Sequence, residues 1–191
     1  MYYSPELKQY CYRLLLSGIA SAGKLTSLQA LAEQINKNYR TEIVDFGTGE
    51  NYQSTHSLVI SLPQANGGNC QFSIFCCQQL STQRGQNLLK NTDGIVFVVD
   101  SQANCLEANI RYLIQLISEL RKLQIAPENF PIFYQFNKRD HGEALTVEEL
   151  NEKLNPLNAP FFSTSQEDKA STLQMYEQIF RTLLQKSAVP V

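Results

Sequence analysis

The segment Gly94-Ile-Val-Phe-Val-Val99 carries no polar side chain at any position. A strand with one face in water alternates apolar and polar residues, so an unbroken, largely β-branched run calls for cover on both faces. That predicts the centre of a parallel sheet with helices packed above and below it. The remainder of the chain supplies the other pieces. Residues 12–17 (YRLLLS) read as a buried strand stopped by Gly18, and Lys24 to about Asn36 sets Leu28, Leu31, Ala32 and Ile35 on one helical stripe. Leu58–Leu62 and Gln71–Cys76 flank the turn sequence Asn66-Gly67-Gly68 and predict an antiparallel hairpin. Between Asn38 and Ser54, with Gly47 and Gly49, the pattern breaks, and a long mobile connection is expected.

A helical middle is expected between Gln78 and Asn91. Leu106, Ile110, Leu113, Ile117 and Leu120 recur at helical spacing. Pro131–Phe136 is a further buried strand, and Thr146-Val-Glu-Glu149 is a capping box opening a helix to about Leu154. Pro160–Phe162 and the stripe Leu173, Tyr176, Phe180, Leu183 close the chain as strand and helix. The order builds an α/β fold with a mostly parallel sheet, one antiparallel edge strand and helices on both faces. No repeat or linker divides it, so residues 1–191 read as one domain, and a domain of this size buries roughly 70% of its extended-chain surface. Ligands on such sheets sit beyond the carboxyl ends of the strands.

Composition narrows the classes. The 16 basic and 18 acidic residues leave a net charge of -2, which argues against nucleic acid as the main partner. The cysteines Cys11, Cys70, Cys76, Cys77 and Cys105 show no metal spacing and leave one unpaired in any disulfide scheme, which fits a reducing, cytoplasmic setting. No cleavable signal pattern opens the chain, and no stretch reaches the roughly 20 apolar residues of a membrane span.

Gly18-Ile-Ala-Ser-Ala-Gly23-Lys24 matches the G-x-x-x-x-G-K phosphate loop and falls between a predicted strand and a predicted helix. Glycines let successive backbone N–H groups converge on a phosphate, the helix N-terminus favours the anion, and the lysine bridges the outer phosphates. Gly18, Ser21, Ala22, Gly23, Lys24, Leu25 and Thr26 form the candidate phosphate-binding set. The full motif wants Ser or Thr after the lysine to ligate Mg²⁺, and this chain has Leu25. Thr26 is rotated about 100° around the helix and does not replace it. Weak or absent Mg²⁺ dependence is expected, with no metal site elsewhere; His56, His141 and the Cys76–Cys77 pair carry no catalytic or metal pattern.

Asn137-Lys138-Arg139-Asp140 follows a predicted strand directly, on the ligand-bearing edge. A carboxylate at Asp140 can accept from guanine N1–H and N2–H₂, a donor pair that adenine lacks. The stem of Lys138 can cover the base, and Asn137 can tie this loop to the phosphate loop. Ser163 and Thr164 fall where a short loop would support the base. GTP or GDP is the expected ligand.

From about Tyr12 to Lys186 the chain resembles the bacterial MglA group of Ras-like small GTPases. The matching runs are Gly94-Ile-Val-Phe-Val-Val-Asp-Ser-Gln102 with Glu107-Ala-Asn109, Tyr134-Gln-Phe-Asn-Lys-Arg-Asp140 and Leu145-Thr-Val-Glu-Glu-Leu150. The resemblance implies a Ras-like P-loop GTPase fold and a cytoplasmic nucleotide switch of cell polarity and surface motility. It further implies recruitment to a pole or membrane by a partner, and a homodimeric roadblock-fold regulator. Where the family has Pro-Gly-Gln after the third strand, this chain has Cys76, Cys77 and Gln78, so Gln78 stands at the water-positioning place. Thr55 and His56 are nearest to the family's first-switch Arg and Thr, with no arginine between Arg40 and Arg84. Arg84 reads as a solvated surface residue rather than a finger. Slow or absent hydrolysis is expected, with Asn38–Thr55 and Gln78–Lys90 as partner-facing surfaces. Two readings stand: a nucleotide-binding switch with little hydrolysis, and a pseudo-GTPase interaction module that needs no nucleotide. A kinase using ATP is disfavoured by Asp140.

Overall fold

The computed structural model describes residues 1–6, 9–46, 55–63, 69–77 and 79–187. The Asn66-Gly67-Gly68 turn, Gln78, and Gly47 with Gly49 lie outside these residues. In chain order the elements are β1 (Tyr2–Ser4), β2 (Gln9–Ser17), α1 (Lys24–Gln34), β3 (Val44–Asp45), β4 (His56–Pro63), β5 (Asn69–Cys77), α2 (Gln83–Lys90), β6 (Gly94–Asp100), α3 (Leu106–Lys122), β7 (Ile132–Asn137), α4 (Val147–Leu154), β8 (Phe161–Ser163) and α5 (Lys169–Ser187). The sheet runs β3-β4-β5-β2-β6-β7-β8, parallel from β5 to β8, with β4 antiparallel to β5.

β6 is buried at every position, as its composition demands, and its side chains divide by parity. Val96 and Val98 join Leu14, Leu16, Phe72 and Ile74 under α1 and α5, where Leu28, Leu31, Tyr176 and Phe180 pack. Ile95, Phe97 and Val99 face the other way with Leu15, Tyr134 and Phe136, covered by Leu89, Leu113, Leu116, Leu150 and Leu154 of α2, α3 and α4. Two cores on one sheet make the three-layer arrangement of a Ras-like fold.

The antiparallel strand expected at the edge is β4, and two short strands extend the pattern. β3 pairs outside β4, so the segment expected as a long mobile connection after α1 includes a short strand at Val44–Asp45. β1 pairs with the outer end of β2, which β6 does not reach: β6 begins its pairing at Leu14, whereas β1 pairs with Gln9–Cys11. α1 stops at Gln34, short of Asn36, because the Asn36 side chain accepts from the Asn38 N–H at 3.0 Å and starts a separate 3-10 turn. The capping box at α4 forms as the sequence predicts, with Thr146 and Glu149 satisfying each other's backbone N–H groups.

Candidate nucleotide site

The carboxyl ends of β2, β6 and β7 carry the two motifs to one place. Gly18 follows β2 with its backbone so close to β6 that a Cβ would lie 2.2 Å from the Val98 carbonyl oxygen. Gly23 takes φ of 98°, and a Cβ there would lie 2.1 Å from Asn137 Nδ2. Both glycines are therefore demanded by contact and by conformation, Gly18 having φ of 152°. Between them Ser21 also adopts a left-handed φ of 60°. Where α1 begins, no side chain caps the first turn. α2 and α4 are capped by Thr82 and Thr146. The first N–H groups of α1 therefore have no side-chain cap, as is also true of α3.

Lys24 is buried, and its ammonium donates to the carbonyls of Gly18 at 2.9 Å and Ile19 at 2.6 Å. Burial lowers its pKa from 10.5 to about 8. Nearby, Ser17 Oγ lies 3.0 Å from the hydroxyl of Tyr112, which props the loop from α3.

Asn137 joins the two motifs. Its Nδ2 donates to Ala22 O at 2.8 Å, and its Oδ1 accepts from the Thr164 hydroxyl at 3.0 Å. Gln135 Nε2 donates to Thr164 Oγ1 at 2.9 Å, while Gln135 Oε1 accepts from Ser27 Oγ at 3.2 Å. Ser27 Oγ also meets Tyr176 OH at 3.2 Å. This buried chain of polar groups spans β7, β8, α1 and α5, and each member satisfies the next. Sequence reasoning missed Gln135, although a glutamine inside an otherwise apolar strand signals a partner it must find.

Beside this network opens a cavity of about 440 Å³, lined among others by Ser21, Gly23, Thr26, Gln102, Lys138 and Asp140. Asp140 is exposed, and Lys138 holds a left-handed φ of 62° with its Nζ 2.6 Å from Asp100 Oδ2. Ser163 and Thr164 do not line the cavity: Ser163 ends β8, and Thr164 is buried under Asn137. The residues that do line it are the next two, Ser165 and Gln166, which no fixed motif marks.

Of the hydrolytic candidates, Thr55 is not among the residues that line the cavity. Thr55 is buried, with its carbonyl accepting from the Phe46 N–H at 2.9 Å. Gln78 lies outside the described residues. Cys76 and Cys77 end β5 buried, and burial pushes the Cys76 thiol up to about 12 and the Cys77 thiol upward too. Arg84 is exposed on α2 and lines a separate cleft with Arg13, Phe75 and Leu88. Magnesium, which the Ras-like fold implies, needs oxygen donors. Leu25 is half-buried and offers none, the thiols of β5 are protonated, and Thr26 faces the cavity from the next position. Among the described residues no group of three or more His, Cys, Asp and Glu gathers around a candidate ion position. Leu25 thus withholds from such an ion the hydroxyl oxygen that the full motif supplies at this position. All five cysteines are free, and no described helix is long and apolar enough to cross a membrane.

No protein-family model matches the chain. Over 151 residues it is 29% identical to the mutual gliding-motility protein MglA of Myxococcus xanthus (strain DK1622), an alignment covering 78% of this chain and 77% of that protein. In sequence and in fold the chain is similar to the MglA type of Ras-like GTPases.

Proposed function

We propose that this protein is a guanine-nucleotide-binding, switch-like protein of the MglA type, acting in cell polarity or surface motility, with weak or absent GTP hydrolysis. The observation that carries this reading is the Asn137 bridge, which pre-assembles the guanine loop and the phosphate loop as one site. Gly18 to Thr26 hold the phosphates, with Lys24 turning from its loop carbonyls to the outer ones. Asp140 accepts from the guanine edge, Lys138 covers the base, and Ser165 and Gln166 lie beside it. Affinity depends little on Mg²⁺, because Leu25 brings no oxygen. The protein works in the cytoplasm, recruited to a pole or membrane by a partner, with a homodimeric roadblock-fold regulator on the switch segments.

The test is Asp140→Asn. GDP and GTP affinity falls by about tenfold or more, because the carboxylate loses both guanine bonds. Unchanged binding sinks the assignment, and rapid phosphate release from GTP by the wild-type protein sinks the slow-hydrolysis half of it.

One observation favours the second reading, an interaction module that needs no nucleotide. Two of the three Lys24 ammonium donors are already taken by Gly18 and Ile19, so the lysine draws the loop in on itself. Absence of any GDP or GTP affinity in the wild-type protein would select this reading.

A further inference from the structure

Asp100 ends β6, is 2% exposed, and does not itself line the cavity. A buried carboxylate is costly unless its lone pairs are taken. Its Oδ2 accepts from Lys138 Nζ at 2.6 Å, and its Oδ1 accepts from the Gln102 backbone N–H at 3.2 Å and from Gln102 Nε2 at 3.1 Å. Both partners line the cavity, Gln102 from just after β6 and Lys138 from just after β7. The backbone that carries the carboxylate is held as well. Asn109 Nδ2 of α3 donates to the Asp100 carbonyl at 2.9 Å, and the Ser101 N–H donates to the Asn137 carbonyl at 3.1 Å. Burial alone would push the Asp100 carboxyl up, but the bonds from Lys138 and Gln102 outweigh it and keep the group ionised.

This arrangement bears on Lys138. A free lysine at the mouth of an anion site is drawn toward phosphate, whereas one whose ammonium is anchored presents its methylene stem instead. The left-handed backbone at Lys138 fixes where that stem starts, and Asp100 fixes where it ends.

We propose that Asp100 is a positioning residue for the nucleoside: by anchoring the Lys138 ammonium and the Gln102 amide, it lays the Lys138 stem along the cavity as an apolar wall and withholds the charge from the phosphates. The proposal rests on the guanine-nucleotide reading above. It makes a prediction opposite in sign to simple charge counting. Asp100→Asn removes a negative charge near an anionic ligand, so electrostatics alone would tighten GDP. Positioning instead loosens it, and loosens guanosine by the same factor.

The experiment measures guanosine and GDP affinity calorimetrically for the wild type, Asp100→Asn, Lys138→Met and the double variant, with thermal melting alongside. The expected result is a loss of about tenfold for both ligands in Asp100→Asn, the scale of one charge-assisted bond, and a double variant no weaker than Lys138→Met alone. Unchanged or tighter GDP binding by Asp100→Asn overturns the proposal, as do losses that multiply in the double variant. A wild-type protein that binds neither ligand overturns the guanine-nucleotide reading, and this proposal with it. Should Asp100→Asn fail to fold, the wild-type GDP complex decides: Lys138 Nζ still bonded to Asp100 supports the proposal, and Nζ moved onto a phosphate overturns it.

Discussion

At the base end of the site, Asn137, Thr164, Gln135 and Ser27 pass hydrogen bonds from the guanine loop to the phosphate loop and on to α5, and Asp100 anchors Lys138 beside them. At the other end, β5 stops on two buried thiols, Leu25 sits where a hydroxyl would meet a cation, and Thr55 is held by backbone contact away from the cavity. The two ends share Lys24 and the same loop. The contrast teaches that binding and turnover draw on separable parts of one edge: recognition needs polar groups fixed in place, while hydrolysis needs oxygen donors and a mobile backbone around the γ-phosphate. Among the described residues, Asn137, Thr164, Gln135 and Ser27 are held by one another, whereas Leu25, Cys76 and Cys77 bring no oxygen donor.

The sharpest way to break the base end is Gly23→Ala. A Cβ there falls 2.1 Å from Asn137 Nδ2 at a φ of 98°, so it strains the backbone and severs the tie to Ala22 together. Urea denaturation is expected to register a loss of about 4 kcal/mol, the sum of strain and a lost buried bond pair. Gly142→Ala is the control, because nothing lies within 4 Å of the added methyl, and it should be neutral.

The shared lysine gives a second, smaller effect with a definite sign. Lys24 has its folded pKa lowered to about 8 against an ordinary 10.5. Between these values the unfolded chain binds more protons than the folded one, so stability rises with pH across that window. Below pH 8 the cost of burying the charge is fully present; above 10.5 it is gone. The difference amounts to about 3 kcal/mol at most. Denaturation of wild type and Lys24→Met at pH 7 to 10.5 tests this: the variant should lack the rise, and parallel curves would refute a buried charged lysine.

Leu25→Thr probes the hydrolytic end and should do least. Replacing a half-buried leucine costs about 1 kcal/mol. Because β5 still supplies thiols rather than oxygens, the new hydroxyl should raise the magnesium enhancement of GDP affinity only about threefold. A hundredfold enhancement in the unaltered protein would erase the contrast between the two ends.

The site was legible in the sequence where a short motif carries its own mechanism. Gly18, Gly23, Lys24, Asn137, Lys138 and Asp140 are fixed letters at strand exits, and the Asn137 link between the loops follows from that placement. Ser165 and Gln166 were not legible, because the loop after β8 has no fixed spacing and the neighbouring Ser163-Thr164 pair looked equally suitable. Thr164 turned inward to satisfy Asn137, a choice that only the approach of β7 to β8 explains. The Lys138 partner was equally hidden, since Asp100 lies 38 residues earlier in another strand.

By itself the sequence determined the order of strands and helices, the doubly covered centre at Gly94–Val99, the capped start of α4 and the two ligand motifs. These are set by local periodicity and by backbone chemistry within a few residues. Only the tertiary structure decided that β1 would fill the outer end of β2, that β3 would edge the sheet, and that Asp100, Gln135 and Thr164 would support the site. Each of those depends on which free backbone group or buried polar atom is left over once the strands have paired, and that remainder exists only in three dimensions.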